Sequence, residues 1–539
     1  MNARDKGIGH AGWRAALPEL LGREWDVLVV GGGITGAGIL LEASRRGLRA
    51  LLVEGRDFAW GTSSRSSKLV HGGLRYLAQG HVKLTREAVR EREALLRDAP
   101  GLVEPQRFAF PDYGKSARKR RTMLAGLALY DLFAGRRERH WQDAHAFALL
   151  APNVARAGLT GGMTYTDAKT DDARLVLRTL LEARRHGAQS INYLTVRSLL
   201  KEGDKVVGAV LRDDAADKGL FEVRARVVID AGGAWAGQLA SGGPRLRPLR
   251  GSHLLLPAWR LPLAHAVSLM HPVDGRPVFA FPWEGATLVG TTDVDHRDGL
   301  AKEAAITRAE LDYLLQALQA QFPDLQLVEA DVIATYAGVR PVVDTGTPDA
   351  PSSLGREHAV WCGNGLVSVT GGKLTTFRAI ALDVLRQARR QLPGWNDALA
   401  PCPIYAPVPL PQAPRRMPAP LLRRLAGRHG AQAQALVDAA CDGELEPIPG
   451  THTLWAELRW AARAEAVEHL DDLLLRRTRI GLLLRGGGSA QMERIRAICQ
   501  AELGWNDVRW EHEEAAYRTL WACHYSLPPA AAASEQGAA

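Results

Sequence analysis

A chain of 539 residues is too long for one ordinary domain, and its length predicts two to four folding units. Hydrophobic residues make up 46% of the chain and charged residues 24%, a balance that excludes collagen-like, disulfide-scaffold and globally disordered proteins. The net charge of +9 is concentrated in one segment, so it does not indicate a nucleic-acid partner.

The cysteines and the hydropathy pattern set expectations about location. Five scattered cysteines show neither CxxC nor zinc-like spacing, which predicts reduced thiols in a cytosolic compartment and no metal site. The first 25 residues lack the apolar core of a signal peptide. We also expect no membrane-spanning helix, because no run of about 18 apolar residues is present.

The first predicted unit is a strand, a glycine turn and a helix. Residues 27–30 form an apolar run typical of a buried parallel strand, and Gly31, Gly33 and Gly36 follow with GxGxxG spacing. Such glycines allow a tight turn and close approach of a pyrophosphate, whose charge a helix N-terminus stabilises. Glu54 ends the next apolar run, where a carboxylate can accept hydrogen bonds from ribose hydroxyls. The alternative is a purely structural βαβ turn.

A serine-rich stretch comes directly after this second strand. Residues 62–77 read TSSRSSKLVHGGLRYL. Their hydroxyl and backbone N–H groups are placed to line a pyrophosphate and a ring system, and the paired glycines let the main chain approach a flat cofactor. A solvated turn is the alternative, since serine and glycine favour turns. We expect Thr62, Ser63, Ser66 and Ser67 to contact the cofactor.

A basic segment lies within the charged, helical region 91–164. Residues 115–140 hold eight lysines and arginines against two acidic residues, which is most of the net charge. Between the basic groups, residues 122–135 are mostly apolar, but as a helix they would extend only about 21 Å. That is short of the roughly 30 Å hydrocarbon core. The segment therefore cannot cross, and the residues alone leave two interpretations open: a helix that lies in the membrane interface, and a core helix with basic ends.

The rest of the chain predicts more strands and then helices. Residues 226–230 form a strand, with Ala231-Gly232-Gly233 predicted to open a helix, and residues 358–385 repeat the pattern around Gly371-Gly372. Residues 246–347 contain strand-like runs such as PVFAFPW and TLVGTTDVD, which predict a second sheet. The proline-rich stretch 400–420 is predicted to be a linker, and helical periodicity follows it.

Seven blocks occur in an order that resembles one family. They are VVGGGITGAGI, TSSRSSKLVHGGLRYL, TDAKTDDARLV, GSHLLLP, LVGTTDVD, YAGVRP and GGKLTTFR. Together they resemble the FAD-dependent (aerobic) glycerol-3-phosphate dehydrogenases from about residue 24 to about residue 525. The resemblance implies an α/β fold: a glutathione-reductase-like FAD-binding domain, an antiparallel-sheet substrate (cap) domain and a C-terminal helical domain. The expected bounds are 1–90, 165–245 and 348–400 for the discontinuous FAD-binding domain, 91–164 and 246–347 for the substrate domain, 401–525 for the helical domain, and 526–539 for a disordered tail.

The resemblance also implies an activity. Members oxidise sn-glycerol 3-phosphate to dihydroxyacetone phosphate, with hydride transfer from C2 to FAD and electrons passed to membrane quinone. We therefore expect ubiquinone or menaquinone as acceptor, a membrane surface as a partner and a homodimer. The expected location is the cytoplasmic face of the inner membrane, peripherally bound and partly cytoplasmic.

Site residues follow from the matched blocks. The substrate phosphate needs cationic groups, and the C2 hydroxyl needs a base. The residues expected to bind substrate are Arg75, Tyr76, Arg340, Arg356 and Lys373. The catalytic candidates are His71, His253 and Arg340, among which the sequence does not choose. The residues expected to contact FAD are Gly31, Gly33, Ile34, Thr35, Gly36, Glu54, Thr62, Ser63, Ser66, Ser67, Gly232, Gly372, Leu374 and Thr375.

Three other functions remain open on the sequence alone. One is a glycerol-3-phosphate oxidase that uses oxygen. Another is an FAD-dependent amine or amino-acid oxidase of the same fold, which would need one carboxylate-binding arginine instead of a cluster of cations. The third is a binding module that has lost the flavin, which the intact glycine turn and serine-rich stretch disfavour.

Overall fold

A computed structural model describes residues 9–74, 77, 80–114, 117–215, 219–239, 243–344, 357–392, 395, 402–414 and 417–529, without the side chains of 117–119. Among the predicted site residues, Arg75, Tyr76 and Arg356 lie outside the described residues. The same holds for residues 530–539 of the predicted tail and for residues 115–116 of the basic segment.

The strands and helices are numbered in chain order. The strands are β1 Trp25–Val30, β2 Ala50–Val53, β3 Leu69–Val70, β4 Val103–Asp112, β5 His140–Asp143, β6 Gly161–Thr170, β7 Gln189–Ile191, β8 Leu194–Glu202, β9 Lys205–Asp213, β10 Leu220–Asp230, β11 Leu246–Pro257, β12 Ala266–Met270, β13 Pro277–Trp283, β14 Ala286–Gly290, β15 Val294–Asp295, β16 Ala334–Val343, β17 His358–Cys362 and β18 Leu366–Gly371. The helices are α1 Leu17–Leu21, α2 Ile34–Ser44, α3 Val82–Asp98, α4 Ala117–Ala134, α5 Ala144–Leu150, α6 Asp172–Arg185, α7 Arg308–Gln321, α8 Phe377–Ala388, α9 Ala419–His429, α10 Ala433–Asp438, α11 Trp455–Ala464, α12 Ile480–Leu483, α13 Met492–Leu503 and α14 Asp507–His524.

The first sheet contains the glycine turn. Within the described residues its strand order is β17-β18-β10-β1-β2-β7, and the β8–β9 hairpin extends β10. Strands β18, β10, β1, β2 and β7 run parallel. Val27, Leu28 and Val29 are fully buried, as a strand covered on both faces requires. The carboxyl ends of these parallel strands therefore meet at one edge, where ligands bind in open α/β sheets.

Helices cover the first sheet because their apolar residues repeat at helical spacing. In α8 the buried positions include Phe377, Ile380, Ala381 and Val384, which lie on one side of the helix. Helix α2 packs between α6 and α8. The N-terminal segment that precedes β1 also joins this core, through buried Trp13 and its neighbours.

The second sheet faces the first and is mostly antiparallel. In the described part of the chain its order is β15-β11-β14-β13-β12-β4-β6-β3, with β16 paired to β11 and β5 to β6. Strands β4 and β12 form a parallel pair. The predicted domain boundary at residue 165 falls inside β6. This strand pairs with β4 along its whole length, so all of β6 belongs to the second sheet. The two-residue strand β3 connects the serine-rich stretch directly to this sheet.

Helices follow the second sheet along the chain, and the two-sheet arrangement with a C-terminal helical region confirms the predicted fold class. No described helix is both long enough and apolar enough to cross a bilayer. The helix predicted after Gly232 is a single 3₁₀ turn, Gly233–Trp235.

The proline-rich stretch is not a free linker. Ile404 and Tyr405 are buried in the core of the first sheet. The Tyr405 hydroxyl is 2.8 Å from the Thr179 hydroxyl of α6. The proline content predicted a linker, and composition does not reveal that two apolar side chains within the stretch have a packing site.

Candidate cofactor and substrate site

A cavity of about 640 Å³ opens where the carboxyl ends of the parallel strands face the second sheet. Its wall includes the turns that follow β1, β2, β10 and β18, together with residues of β4, β6, β13 and β16. Most of the predicted site residues that the structure describes line it. They are Gly31, Gly33, Ile34, Thr35, Glu54, Thr62, Ser63, Ser66, Ser67, His71, Gly232, Arg340, Gly372, Lys373, Leu374 and Thr375.

The glycine turn is fixed by steric limits. Gly31 has φ of +114°, and a Cβ there would lie 2.6 Å from the carbonyl oxygen of Ala231. Gly36 lies behind the cavity wall, where a Cβ would lie 1.9 Å from the Gly31 carbonyl oxygen. Gly31 therefore permits the turn, and Gly36 permits close packing of α2 against it.

The N-terminus of α2 opens into the cavity. Its N-cap is Gly33, which has no side chain with which to cap the helix. The Ile34 N–H donates to the Ser63 hydroxyl at 3.0 Å. A helix N-terminus without a carboxylate cap offers N–H groups and a positive dipole end to a pyrophosphate. These groups fit the phosphates of FAD.

Glu54 lies at the cavity with both oxygens oriented by the backbone. Oε2 accepts from the Gly32 N–H at 2.6 Å, and Oε1 accepts from the Arg56 N–H at 2.8 Å. Burial raises the pKa of Glu54, while these two N–H groups oppose that shift. Each carboxylate oxygen keeps a further lone pair, so the group can still accept from ribose hydroxyls.

The serine-rich stretch faces the cavity and is anchored from behind. The Thr62 hydroxyl donates to the Val339 carbonyl oxygen at 2.5 Å, and the Ser66 hydroxyl donates to Asp172 Oδ2 at 2.7 Å. Ser64, between them, is buried. The stretch is therefore a packed wall of the cavity, unlike the solvated turn that was the alternative.

Positive side chains line the cavity from the second sheet and from the turn after β18. Arg340 donates from Nη2 to the Thr291 hydroxyl at 3.1 Å and from Nη1 to Asp293 Oδ1 at 3.2 Å. Lys373 lines the same cavity. Arg276 also lines it, with Nη2 3.7 Å from Asp293 Oδ2. The buried carboxylate of Asp293 thus holds the guanidinium groups of Arg276 and Arg340 at the same cavity.

Sequence reasoning missed Arg276 and Asp293. Asp293 lies in the quoted block LVGTTDVD, and Arg276 stands immediately before the apolar run of β13. Both had a local signal, since each is a charged residue beside a predicted strand of the substrate sheet. The pairing of β13 with β14, which brings the two strands together, was not readable from either segment alone.

The two histidine candidates occupy different positions. His71 lines the cavity, and its carbonyl oxygen accepts from the Thr375 hydroxyl at 3.2 Å. His253 lies behind the wall, is 1% exposed and stacks on Tyr336 with ring centroids 4.5 Å apart. Burial, with the positive charges of Arg340 and Lys68, holds the pKa of His253 well below its ordinary value. His253 is therefore neutral, and its Nε2 lies 2.9 Å from the hydroxyl of Ser67, which lines the cavity.

An aromatic wall closes one part of the cavity. Phe108 stacks on Tyr165 with centroids 5.2 Å apart and meets Phe279 edge to face at 5.6 Å. All three line the cavity, and they come from β4, β6 and β13. Flat aromatic surfaces suit a planar ring system such as a flavin. The sequence did not single these residues out, because aromatic residues in strands are ordinary core residues.

Comparison with known proteins gives concordant matches. Residues 26–378 match a family model described as FAD dependent oxidoreductase, and residues 387–510 match the C-terminal domain of alpha-glycerophosphate oxidase. A glycerol-3-phosphate dehydrogenase of Mycobacterium leprae is 36% identical over 532 residues, which cover 94% of this chain and 89% of that protein. An aerobic glycerol-3-phosphate dehydrogenase of Bacillus subtilis is 37% identical over 385 residues, covering 70% of this chain and 69% of that protein.

A solved structure agrees with the sequence relatives. The X-ray structure of glycerol-3-phosphate dehydrogenase from Bacillus halodurans complexed with FAD superimposes with a TM-score of 0.72 at 26% identity. The superposition covers 94% of this chain and 97% of that chain. The shared fold therefore includes both sheets and the C-terminal helices.

Proposed function

This chain belongs to the FAD-dependent glycerol-3-phosphate dehydrogenase family, and on that premise we propose that it oxidises sn-glycerol 3-phosphate to dihydroxyacetone phosphate. FAD is its cofactor and supplies the acceptor for the hydride that leaves C2. The observation that carries the proposal is one cavity lined by a dinucleotide-binding turn, by Arg276 and Arg340 on the side of the second sheet, and by Lys373 in the turn after β18.

We assign the cofactor to the side of the first sheet. Gly31, Gly33 and the first turn of α2 would hold the pyrophosphate, and Glu54 would accept from the adenosine ribose. The serine-rich stretch and the turn after β18 would border the flavin, because both line the cavity beside the aromatic wall. The remaining predicted contacts lie in these segments and in the turn after β10: Ile34, Thr35, Thr62, Ser63, Ser66, Ser67, Gly232, Gly372, Leu374 and Thr375.

Arg276 and Arg340 on the side of the second sheet, with Lys373 in the turn after β18, would hold the substrate phosphate. Arg340 and Lys373 are the predicted residues, and Arg276 joins them from its position in the wall. A dianionic phosphate is held best by several positive groups, and guanidinium groups bind it in a fixed orientation. Arg75, Tyr76 and Arg356 remain proposed ligands from the resemblance alone.

Arg340 would also stabilise negative charge on the C2 oxygen as its proton leaves. His71 is the proposed base, because it lines the cavity directly. His253 would orient Ser67 through the hydrogen bond between its Nε2 and the Ser67 hydroxyl, which are 2.9 Å apart. A neutral imidazole is suited to this role, since it can accept or donate without bringing a charge into the wall.

Membrane quinone, ubiquinone or menaquinone, is the proposed electron acceptor, with the basic segment 115–140 on the lipid surface. Helix α4 buries Leu127 and Tyr130, whereas Leu132 is 73% exposed. One side of the helix thus packs in the protein and another side is open, as an interfacial helix requires. The proposed location is the cytoplasmic face of the inner membrane, and a homodimer is the proposed assembly, to be tested by light scattering.

Oxygen is the second candidate acceptor. The C-terminal match is to a domain named for alpha-glycerophosphate oxidase, and this match favours an oxidase as the alternative. An amine or amino-acid oxidase is less well supported, because a carboxylate substrate needs one guanidinium group, whereas Arg276, Arg340 and Lys373 are among five basic residues that line this cavity.

One experiment tests the substrate and the acceptor separately. Purified holoprotein is mixed without oxygen with glycerol 3-phosphate, other hydroxy-phosphates or amino acids, and flavin absorbance is followed. We expect bleaching by glycerol 3-phosphate, followed by faster reoxidation with a water-soluble quinone than with oxygen. Bleaching by amino acids alone would refute the proposed substrate.

A further inference from the structure

A buried turn of the serine-rich stretch is closed by one carboxylate from outside the cavity. The Lys68 ammonium is fully buried and donates to the Ser64 carbonyl oxygen at 2.7 Å and to the Asp172 oxygens at 2.9 and 3.0 Å. Asp172 Oδ2 also accepts from the Ser66 N–H at 2.9 Å and the Ser66 hydroxyl at 2.7 Å. Asp172, the first residue of α6, therefore fixes both the backbone and the side chains of this turn.

The other side of Asp172 is occupied by an arginine from the C-terminal helical region. Arg479 is 1% exposed and precedes α12 with φ of +63°. Its Nη1 donates to the Ser64 carbonyl oxygen at 3.2 Å, across a separation of 415 residues. Its Nη2 pairs with Asp172 Oδ1, and its Nε donates to Asp171 Oδ1 at 2.9 Å. One guanidinium group thus touches the turn and the carboxylate that closes it.

Two further contacts bind the same stretch to the C-terminal region. Asp57, just before the stretch, accepts from Arg477 through both oxygens at 2.6 and 2.7 Å, and also from Arg476. Arg65 donates to the Tyr525 hydroxyl at 3.1 Å. The C-terminal region therefore contacts the chain just before the stretch, at Asp57, and the buried turn itself, at Ser64 and Arg65.

These contacts are electrostatically interdependent. A buried carboxylate that loses a cationic partner keeps an uncompensated charge, and the surrounding chain must then move or take up water or a proton. Lys68 cannot take over the contacts of Arg479, because its ammonium group has three N–H donors and already contacts the Ser64 carbonyl oxygen and both Asp172 oxygens. The position of the turn therefore depends on Arg479.

We propose that Arg479 is a positioning residue for the cofactor: by fixing the Ser64–Lys68 turn, it sets where Ser66 and Ser67 meet FAD. Both serines line the cavity, whereas Asp172, to which the Ser66 hydroxyl donates, is not among the lining residues. The inference rests on the proposed assignment of these serines to FAD. Through this turn the C-terminal helical region takes part in cofactor binding, although none of its described residues lines the cavity.

The test compares Arg479→Gln with a matched control, Arg424→Gln. Arg424 is also a buried arginine of the C-terminal region, and it donates to Glu457 at 2.6 Å and Glu284 at 2.9 Å without touching the serine-rich stretch. Three readouts are measured on each variant: the FAD dissociation constant of the apoprotein, the visible circular dichroism of the bound flavin, and amide hydrogen exchange of residues 62–68. A third variant, Asp172→Asn, removes the charge of the carboxylate while keeping its shape.

We expect Arg479→Gln and Asp172→Asn to weaken FAD binding about tenfold, the loss of one charge-assisted contact, and to speed exchange in residues 62–68. Arg424→Gln should lower the thermal midpoint without either effect. Arg479→Lys, the variant to use if Arg479→Gln does not fold, should partly restore FAD affinity by keeping a cation beside Asp172.

Two results would overturn the proposal and are distinguishable from each other. If exchange in residues 62–68 matches that of Arg424→Gln, Arg479 only stabilises the fold. If exchange becomes faster but FAD affinity is unchanged, the turn is held by Arg479 but does not bind the cofactor, and the assignment of Ser66 and Ser67 to FAD is what fails. Neither result bears on which substrate bleaches the flavin.

Discussion

The hydroxyl oxygen of Ser67 lies 2.9 Å from Nε2 of His253, so a residue of the cavity wall is joined to a buried, neutral histidine in the second sheet. The ring of His253 is stacked on Tyr336, whose hydroxyl donates to the Ser66 carbonyl oxygen at 2.8 Å. Two neighbouring serines of the wall are therefore positioned by two stacked rings of β11 and β16. This arrangement makes the wall sensitive to protonation of His253.

The first prediction concerns acid stability. Because burial lowers the pKa of His253, the unfolded chain binds an extra proton once the pH falls below 6.5, and stability is lost in that range. The loss from this one site is about 1.4 kcal/mol per pH unit. We expect His253→Asn to lose less thermal stability than the parent protein between about pH 7 and about pH 5.

The control for this prediction is His140→Asn, at an exposed histidine of β5. The thermal stability of this variant should change with pH in the same way as that of the parent protein. Identical acid sensitivity in the parent protein and His253→Asn would show that other groups govern the response.

The second prediction concerns the ribose acceptor. Glu54→Ala removes an acceptor for ribose hydroxyls and for two backbone N–H groups, and should weaken FAD binding by roughly 1.5–3 kcal/mol. Equilibrium dialysis of the yellow holoprotein measures this loss. Asp26→Ala is the control, because Asp26 likewise accepts a backbone N–H, from Arg49 at 2.8 Å, but lies outside the cavity wall. Full retention of FAD in Glu54→Ala would rule out the assignment.

The third prediction separates two arginines by their kinetics. Arg340→Ala should raise KM for glycerol 3-phosphate and lower kcat, with kcat/KM reduced about 100-fold or more, because it would lose both phosphate binding and stabilisation of the C2 oxygen. Arg276→Ala should raise KM with little change in kcat, because Arg276 is assigned to phosphate binding alone. Steady-state assays with an artificial electron acceptor give both constants. A kcat loss in Arg276→Ala as large as that in Arg340→Ala would contradict the division of roles.

The fourth prediction concerns the membrane surface. Changing four basic residues at the start of the basic segment to Gln should weaken binding to anionic liposomes at low salt. The expected loss of binding free energy, measured by sedimentation, is about 1 kcal/mol for each residue that contacts headgroups. The residues are Arg118, Lys119, Arg120 and Arg121.

Its control removes the same charge from another surface. Four exposed basic residues of the β8–β10 ribbon are changed to Gln, and liposome binding should be unchanged. They are Lys201, Lys205, Arg224 and Arg226. Equal binding by both quadruple variants would show that the basic segment is not the anchor.

The sequence predicted those parts of the site that are written in short, contiguous motifs. Gly31, Gly33 and Glu54 belong to one βαβ unit, whose turn geometry demands those residue types, and Arg340 lies in a matched block. It did not predict Asp293 as the carboxylate that orients Arg276 and Arg340. That relationship depends on which strands pair, and strand pairing is a property of the whole second sheet.

The most distant relationships were the least predictable. Arg479 reads in the sequence as one arginine among several basic residues between apolar helices. Its importance depends on a left-handed backbone conformation and on Asp172, which lies 307 residues earlier in the chain. Burial of Ile404 and Tyr405 was hidden for a similar reason, because proline-rich composition predicts extension but not packing.

The burial of Ile404 and Tyr405 limits how the chain can be divided. Arg45 donates from the first sheet's α2–β2 turn to the Pro403 carbonyl oxygen at 3.0 Å, so the stretch is tied there by its backbone as well as by its side chains. A cut near residue 400, where composition suggests a natural border, would remove these side chains from the core of the N-terminal fragment. Neither fragment would then be an autonomous module. A domain exchange in this fold should therefore keep the proline-rich stretch together with the first sheet, and not with the helices that follow it.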